Sequence, residues 1–265
     1  MALAGACLLP AVALAQSATR FVGNWVEDPS KRTIGSMRNL TFTQTANGGL
    51  EELRGSTARP LMQPVRFDGK PYAVDGSPNT LAWKQLDANH FERTVSQNGQ
   101  LLNTRRLQVS ADGSTLTEAT ETTDAGKKVV ATIVYRRTSG TGPRLAGVWK
   151  PQSYKSDVPN TLRVEAAGSG LRAFTNEHAT SRTAFTLKFD GKALPVEGPN
   201  IIAGSASAGT LVNDRSIDIA QSREGVATGR QSWSLSPDGK ILTTSSTFVG
   251  PDATNVPSVM VFTRR

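Results

Sequence analysis

Few residues in this chain could carry out acid–base or nucleophilic chemistry, and they do not cluster along the sequence. The chain contains two histidines, His90 and His178, and one cysteine, Cys7. His90 lies close to Asp87 and Glu92, and an imidazole beside a carboxylate is the arrangement of a general base. Unclustered histidines are more often turn or surface residues, and His178 is predicted to lie in a loop. We expect a protein that is not an enzyme, and keep catalysis by His90 as the third hypothesis for function.

Motifs that bind metals, phosphates or dinucleotides are absent from the sequence. There are no paired cysteines and no His-x-x-x-His, which zinc sites require, and there is no phosphate loop or dinucleotide fingerprint. Aspartate precedes glycine five times, but a calcium loop needs several carboxylates at alternating spacing, whereas Asp-Gly alone is typical of a hairpin turn. We therefore expect turns at these pairs, no metal and no cofactor. The pairs begin at Asp68, Asp75, Asp112, Asp190 and Asp238.

The composition is that of a folded, basic protein. The chain has 265 residues, of which 37% are apolar and 20% are charged, and its formal net charge is +8. This apolar content is too high for a disordered chain, and the length fits one large or two small domains. Basic residues are not interleaved with aromatics, so nucleic acid is not an expected partner. A basic surface that binds anionic envelope polymers is retained as the alternative function.

The first residues predict export. Residues 1–15 are uncharged and apolar, and they end in Ala13-Leu14-Ala15, the pattern of a signal-peptidase site. We expect a signal peptide over residues 1–15 and a mature protein in the periplasm or outside the cell; lipidation at Cys7 is the alternative. The basic residues that usually begin such a signal are missing, so we expect the true start upstream of Met1 unless the signal is atypical. No stretch is long and apolar enough to span a membrane as a helix.

Four short motifs occur twice in the same order, roughly 125 residues apart, which indicates an internal duplication. Each half begins with Gly-x-Trp, continues with Phe-Asp-Gly-Lys and a later Asp-Gly turn, and ends with a valine, an aromatic residue and arginine. Glycine and proline in residues 138–144 are typical of a linker. We therefore predict one domain over residues 20–137 and a second over residues 145–265.

Within each half the pattern is that of short antiparallel strands. Apolar and polar residues alternate in residues 40–44 and 107–109, which is the period of a half-buried strand. Asn98-Gly99 between two such runs is a strong hairpin signal. We expect an all-β fold of two tandem antiparallel up-and-down barrels with about eight to ten strands each, because closure removes exposed sheet edges. A single larger sheet or sandwich is the structural alternative, and an outer-membrane barrel is the third.

These features resemble the calycins, the lipocalin-like and fatty-acid-binding-protein-like barrels. In that group an early Gly-x-Trp closes the barrel floor, and an arginine from the end of the chain lies across it. A guanidinium above an indole contributes ~0.5–2 kcal/mol and seals an apolar floor from water. The resemblance implies this barrel-closing role here, with Arg137 and Arg264 as the preferred arginines. The matching residues are Gly23 and Trp25 with Arg136 or Arg137, and Gly147 and Trp149 with Arg264 or Arg265.

The chain also departs from the calycin pattern. Residues 26–37 and 150–160 contain prolines where fatty-acid binders have a helical lid. Those binders hold a carboxylate with Arg-x-Tyr on the last strand, where this chain has Ile133-x-Tyr135 and Met260-x-Phe262. A fatty-acid role is therefore not carried over.

The first hypothesis for function is an exported, lipocalin-like binding protein that holds a small apolar or amphipathic ligand. Barrels of about eight strands can just enclose one small ligand. Trp233 alternates with Leu235 on a predicted strand, which favours core packing, and a tryptophan that lines a ligand cavity is the alternative. The aromatic residues are placed differently in the two halves, which leaves room for one barrel to be purely structural.

Overall fold

The computed structural model describes residues 18–35, 37–56, 59–124, 126–140, 144–177, 179, 182–249 and 256–265. These residues form twenty strands and two single turns of 3₁₀-helix, Thr19–Phe21 and Pro29–Lys31. The strands are β1 (Gly23–Glu27), β2 (Leu40–Gln44), β3 (Leu50–Ser56), β4 (Arg59–Val65), β5 (Tyr72–Ala73), β6 (Asn79–Gln85), β7 (His90–Gln97), β8 (Gln100–Val109), β9 (Thr115–Asp124), β10 (Lys127–Ser139), β11 (Gly147–Ser156), β12 (Thr161–Ala167), β13 (Gly170–Thr175), β14 (Thr183–Leu187), β15 (Leu194–Pro195), β16 (Ser205–Asn213), β17 (Ser216–Arg223), β18 (Val226–Leu235), β19 (Ile241–Phe248) and β20 (Ser258–Arg264).

The strands form two antiparallel ten-stranded sheets, which confirms the predicted all-β class with two tandem barrels. The first sheet has the order β4-β3-β2-β11-β10-β9-β8-β7-β6-β5, and the second has the order β14-β13-β12-β1-β20-β19-β18-β17-β16-β15. In the second sheet an isolated bridge joins Ala184 to Glu197, with hydrogen bonds of 2.9 and 2.8 Å. This bridge brings its two edges together as a nearly closed barrel. The first sheet is a half-barrel, because β4 and β5 are not paired within the described residues.

Tight turns connect the strands where the sequence predicts them. Asn98 and Gly99 both have positive φ, 50° and 76°, as a two-residue hairpin turn requires. The glycine of each predicted Asp-Gly turn also has positive φ, a conformation that a side chain with Cβ disfavours. Asp112 accepts hydrogen bonds from Ser110 and Ser114, and these bonds lower the pKa of its carboxyl to about 2. The pairs at Asp75, Asp112 and Asp238 therefore lie in hairpin turns, whereas those at Asp68 and Asp190 turn the chain between strands that do not pair with each other among the described residues.

Alternate residues of each strand point inward and form one main core in each barrel. Burial of a large apolar side chain contributes about 1.5–3 kcal/mol, so these rows are a major source of stability. The first core includes Phe42, Trp83, Phe91, Leu116 and Trp149, and the second includes Phe21, Trp25, Leu171, Ile217 and Trp233.

The first strand of each repeat lies in the sheet of the other repeat. β1 pairs with β12 and β20, whereas β11 pairs with β10 and β2. The predicted ranges 20–137 and 145–265 therefore do not coincide with the two sheets. The first sheet uses β2 to β11, which are contiguous in the chain, and the second combines β12 to β20 with the distant strand β1.

The short connection between β10 and β11 explains this exchange. Consecutive antiparallel strands joined by a short connection tend to pair with each other. β11 pairs with β10 from Ser156 opposite Ala131 to Val148 opposite Ser139. β1 has only five residues, so it could form fewer backbone pairs with β10 than β11 does. β11 therefore fills the place beside β2 that a self-contained repeat would give to β1. The equivalent place between β12 and β20 is left to β1.

Contacts between the two barrels lie on both sides of the exchanged strands. The side-chain amide of Asn79 donates to Pro199 O at 3.2 Å and to Asn200 Oδ1 at 3.1 Å. At a second point the guanidinium of Arg32 lies 4.2 Å from the ring centre of Tyr154. These contacts hold the barrels together independently of the backbone pairing.

Because β1 of the first repeat pairs with β12 of the second, an engineered disulfide should join the two repeats. This disulfide could not form if each repeat kept its own first strand. Val26 and Thr161 are direct partners across β1 and β12. Such partners have Cα atoms about 4.5–5.5 Å apart, a separation that suits a disulfide. We expect Val26→Cys with Thr161→Cys, in a Cys7→Ser background, to form an intramolecular disulfide on mild oxidation. The measurement is intact mass and mobility on a non-reducing gel.

The matched control places the second cysteine at Asn39. Asn39 directly precedes β2 and is equivalent to Thr161. Leu40 pairs with Trp149 in one sheet and Leu162 pairs with Trp25 in the other, so the residues just before these leucines occupy the same place. We expect Val26→Cys with Asn39→Cys to remain reduced. A disulfide between positions 26 and 39 would show that each repeat keeps its own first strand.

Candidate functional site

Each sheet carries a tryptophan that lies under an arginine, the kind of pair to which the resemblance assigns barrel closure, and the partners are exchanged between repeats. The guanidinium carbon of Arg264 lies 4.3 Å from the ring centre of Trp25, and that of Arg137 lies 4.2 Å from Trp149. The resemblance implied the pairs Trp25 with Arg136 or Arg137, and Trp149 with Arg264 or Arg265. The structure instead pairs each arginine with the tryptophan that the strand exchange brings beside it.

The polar groups of these closing pairs are engaged by nearby backbone. Trp25 Nε1 donates to Phe21 O at 3.0 Å, and Trp149 Nε1 donates to Leu145 O at 2.8 Å. The arginines donate to carbonyls of the chain just before each Gly-x-Trp, and burial lowers the pKa of both. The indole nitrogens of Trp25 and Trp149 are therefore occupied by backbone carbonyls and are not available to a ligand.

The two glycines of these motifs allow this close packing. Gly23 and Gly147 have φ of 151° and 138°, which residues with a side chain rarely adopt. A Cβ on Gly23 would lie 2.9 Å from Arg264 Nη1, and one on Gly147 would lie 2.3 Å from Ser139 O. Gly23, Trp25 and Arg264 thus form one closing cluster, and Gly147, Trp149 and Arg137 form the other.

The interior of the first barrel holds a charged network that the sequence analysis missed. Arg93 Nη1 donates to both carboxylate oxygens of Glu52, at 2.7 and 2.8 Å. Arg105 Nε lies 3.1 Å from Glu118 Oε1, and the hydroxyl of Tyr135 donates to Glu118 Oε2 at 3.4 Å. Buried charges are tolerated when they are paired in this way. The network therefore balances two guanidiniums with two carboxylates.

Burial and mutual attraction shift the titration of this network. Burial alone would lower the pKa of Arg105, but the charges of Glu118 and Glu52 raise it above its usual value. Burial, followed by the charge of Glu118, raises the pKa of the Tyr135 hydroxyl well above its usual range. Tyr135 therefore stays a neutral donor and Arg105 stays a cation throughout the physiological range.

The second barrel carries uncharged residues at the same inward positions. The strand registers show which positions of the two interiors are equivalent. Trp83 is paired with Arg93 in the first sheet, and Gly209 is paired with Ile219 at the same place in the second. In the same way, the pair Leu107 and Glu118 corresponds to the pair Trp233 and Thr244. Each charged or phenolic group of the first interior is thus replaced by a neutral one. Glu52 corresponds to Ala173, Gln63 to Phe185, Arg93 to Ile219, Arg105 to Gln231, Glu118 to Thr244 and Tyr135 to Phe262.

These replacements leave a cavity of about 270 Å³ in the second barrel. Phe185, Met260 and Phe262 form apolar walls, and Trp233 and Thr244 add polar groups. The other lining residues are mainly threonine, asparagine and glutamine, so this half-enclosed space combines aromatic walls with many neutral polar groups. Concave sites with converging polar groups are the usual form of a small-molecule site. Trp233 belongs to the second core, as expected, and it also lines this cavity, so both interpretations describe its position.

Two buried polar atoms in this cavity lack hydrogen-bond partners among the described residues. They are Trp233 Nε1 and Thr244 Oγ1, whose residues are 1% and 3% exposed. Trp233 and Thr244 face each other directly across β18 and β19, so both side chains lie on the same inner face. A buried polar group left unsatisfied costs about 1–3 kcal/mol, and a ligand that bonds to it recovers this cost.

The rim of the cavity is fixed by the exchanged strand. Asn160, a lining residue, donates from Nδ2 to Glu27 Oε2 at 2.7 Å, and its Oδ1 accepts from Asn176 at 3.0 Å. Glu27 belongs to β1 and also forms an ion pair with Arg32. The first repeat therefore supplies the carboxylate that orients the rim of a cavity built from the second repeat.

Other sites in the described part of the chain fit binding less well. Trp83 Nε1 is also unpaired, but its indole packs edge-on against Phe42 and Phe67 and lies under Arg93. A cleft of about 500 Å³ lies at the end of the first barrel near Leu145, and none of its lining residues is among those with an unpaired buried polar atom in the described ranges.

His90, the residue of the third hypothesis, begins β7 next to an exposed turn. His90 Nδ1 is 2.8 Å from Asp87 Oδ2, and both side chains are largely exposed. Asp87 also accepts from the backbone N–H groups of Asn89 and His90, and these bonds lower the pKa of its carboxyl. The pair thus stabilises the turn before β7. His178, Cys7 and the predicted signal peptide lie outside the described residues.

Two further searches cover only the described residues. Within them, no three His, Cys, Asp or Glu side chains come together as a metal site would need. No helix in the same ranges is long and apolar enough to cross a membrane.

Comparisons with known proteins add no relative. No protein-family model, no curated protein and no solved structure matches the chain. The fold and the cavity alone define the class: a tandem antiparallel β-barrel protein whose compared inward positions are charged in the first barrel and uncharged in the second, where they line a cavity.

Proposed function

We propose that the protein is an exported binding protein that holds a small amphipathic ligand in its second barrel. The observation that carries this proposal is the pair of unpartnered polar atoms, Trp233 Nε1 and Thr244 Oγ1, inside a cavity with apolar walls. Natural cores satisfy nearly all buried polar groups. Eight buried side-chain atoms of the described residues lack a hydrogen-bond partner, and these two belong to facing residues that both line the cavity, which favours a missing partner there. The apolar end of a ligand would pack on Phe185, Met260 and Phe262.

The first barrel serves as scaffold in this proposal. Its carboxylates already meet its guanidiniums, so a ligand would have to break a buried ion pair to bind there. Breaking such a pair costs about 3–5 kcal/mol. The difference between the interiors therefore supports a division of roles, with one binding barrel and one structural barrel.

The alternative function, binding of anionic polymers through a basic surface, has less support. Arg106 lies 3.4 Å from Glu92 and 3.0 Å from Glu121, and Lys128 lies 2.6 Å from Glu121. Arg137 and Arg264 are engaged in the closing clusters. Cations that are paired with local carboxylates attract a polyanion less strongly, so the cavity remains the better-supported site.

Native mass spectrometry tests the proposal. The protein spanning residues 16–265 would be incubated with a solvent extract of the producing cells and measured under native and denaturing conditions. We expect a discrete added mass that is lost on denaturation. Thr183→Phe, which places a ring in the cavity, should remove this mass, because Thr183 lies on the cavity wall.

The matched control is Thr186→Phe on the same strand, where the side chain has the opposite orientation. This variant should retain the added mass. A wild-type protein that never carries an added mass, or a Thr183→Phe protein that carries it unchanged, would contradict ligand binding in this cavity.

A further inference from the structure

The residues of the cavity also specify the chemistry of the ligand. This inference rests on the proposed function and narrows it. We infer that the ligand is a compact, uncharged molecule with an oxygen acceptor, such as a carbonyl, that bonds to Trp233 Nε1 and Thr244 Oγ1.

The absence of charge in the ligand follows from the lining. The lining residues within the described ranges are all uncharged: Asn, Thr, Gln, Leu, Phe, Trp and Met. The nearest carboxylate on the rim is Glu27, which already pairs with Arg32 and Asn160. A buried ionic ligand would find no opposite charge, and an unpaired buried charge is strongly disfavoured.

The hydrogen-bond acceptor of the ligand is inferred from the donors on the cavity wall. An indole nitrogen can only donate a hydrogen bond, so Trp233 Nε1 requires an acceptor, whereas the Thr244 hydroxyl can donate or accept. In the first barrel the acceptor at the position of Thr244 is the Glu118 carboxylate, which meets Arg105 and Tyr135. The second barrel lacks this carboxylate but keeps donors around the same place. A ligand oxygen would supply the acceptor that the duplicated position has lost.

The size of the ligand is inferred from the volume of the cavity. An apolar cavity of about 150 Å³ is known to hold one benzene, so about 270 Å³ holds one ring with a short substituent. A long acyl chain would not fit. The polar substituent would face Trp233 and Thr244, and the ring would contact the apolar walls.

Three ring compounds of similar size separate these requirements. Acetophenone has a carbonyl acceptor, ethylbenzene has none, and benzoate carries a charge. We expect isothermal titration calorimetry to show acetophenone binding about tenfold more tightly than ethylbenzene, because ethylbenzene leaves the buried donor unsatisfied. We expect no measurable binding of benzoate.

Variants assign the preference to the proposed atoms. Thr244→Val keeps the shape of the side chain but removes the hydroxyl, and it should weaken acetophenone binding about fivefold while ethylbenzene binding is unchanged. Thr243→Val, at the next position on the outer face of β19, should change neither. Thr244→Ser retains a hydroxyl and should retain the preference, so it keeps the test decisive even if Thr244→Val is unstable.

The outcomes distinguish this inference from the proposed function. Equal binding of acetophenone and ethylbenzene, or tighter binding of benzoate, would overturn the ligand chemistry while the cavity remained a binding site. Failure of all three compounds to bind would also overturn the inference. The cell-extract measurement with Thr183→Phe judges the proposed function separately.

Discussion

A fragment of residues 38–158 is expected to fold as a stable monomer, whereas a fragment of residues 20–140 is expected to be less stable by about 3 kcal/mol or more. The first fragment contains β2 to β11, the complete first sheet. The second follows the sequence repeat and contains β1 but lacks β11. It therefore loses the burial of Trp149, and loss of a buried tryptophan costs about 3–5 kcal/mol when nothing replaces it.

Replacement by β1 would recover only part of this loss. β1 has five residues where β11 has ten, so residues 131–134 at one end of β10 would remain unpaired. The two fragments have equal length, which makes them matched controls for each other. Urea unfolding followed by circular dichroism, with light scattering for the oligomeric state, measures the difference. A 20–140 fragment that is monomeric and as stable as the 38–158 fragment would contradict the exchange.

Glu118→Gln is expected to lower the free energy of unfolding of the first barrel by about 3–5 kcal/mol. The substitution keeps the shape but removes the charge that balances Arg105 and accepts from Tyr135. Because Glu118 is 2% exposed, water cannot take over this role. Urea unfolding of the whole protein, followed by tryptophan fluorescence, would report the change in the transition of the first barrel.

Two controls separate the buried charge from general disruption. Glu121→Gln on the same strand removes an exposed partner of Lys128 and should leave the free energy of unfolding nearly unchanged. The triple variant Glu118→Thr, Arg105→Gln and Tyr135→Phe copies the second barrel and should be more stable than Glu118→Gln alone, since it leaves no unpaired charge at this point. A Glu118→Gln protein no less stable than Glu121→Gln would show that the network is not a source of stability.

The exchanged strand links the architecture to the proposed site. Glu27 lies on β1, yet it orients Asn160 at the rim of the cavity in the second barrel. The binding barrel is therefore complete only when the first repeat donates its strand. This dependence gives the duplication a structural consequence beyond a second copy of the fold.

Much of the interior could have been predicted from strand alternation. Phe91 and Val95 were placed on a strand, and the same period places Arg93 between them on the inner face. An inward arginine in an apolar row is a detectable signal of a buried ion pair. Its partner was not detectable, because Glu52 lies on β3, which is distant from β7 in the strand order and comes close to it only in the folded sheet.

From the sequence, the cavity could be predicted only as an alternative to core packing around Trp233. Trp233 is the same signal whether it fills a core or lines a cavity, since both need an inward aromatic residue. The outcome depends on the volume that surrounding side chains leave unfilled, and this volume depends on the packing of seven strands at once. Comparison of the two repeats, position by position, would have shown where charge and bulk had been lost.

The sequence by itself determined the all-β class, the duplication, the hairpin turns and the residues of the closing clusters, because these depend on local periodicity and on motifs that repeat. Tertiary structure alone decided which tryptophan each arginine covers, which strand completes each barrel and which interior is hollow. The physical reason is that Gly23-x-Trp25 and Gly147-x-Trp149 are chemically interchangeable, so their placement depends on the length of the connection between β10 and β11 and not on the strands themselves.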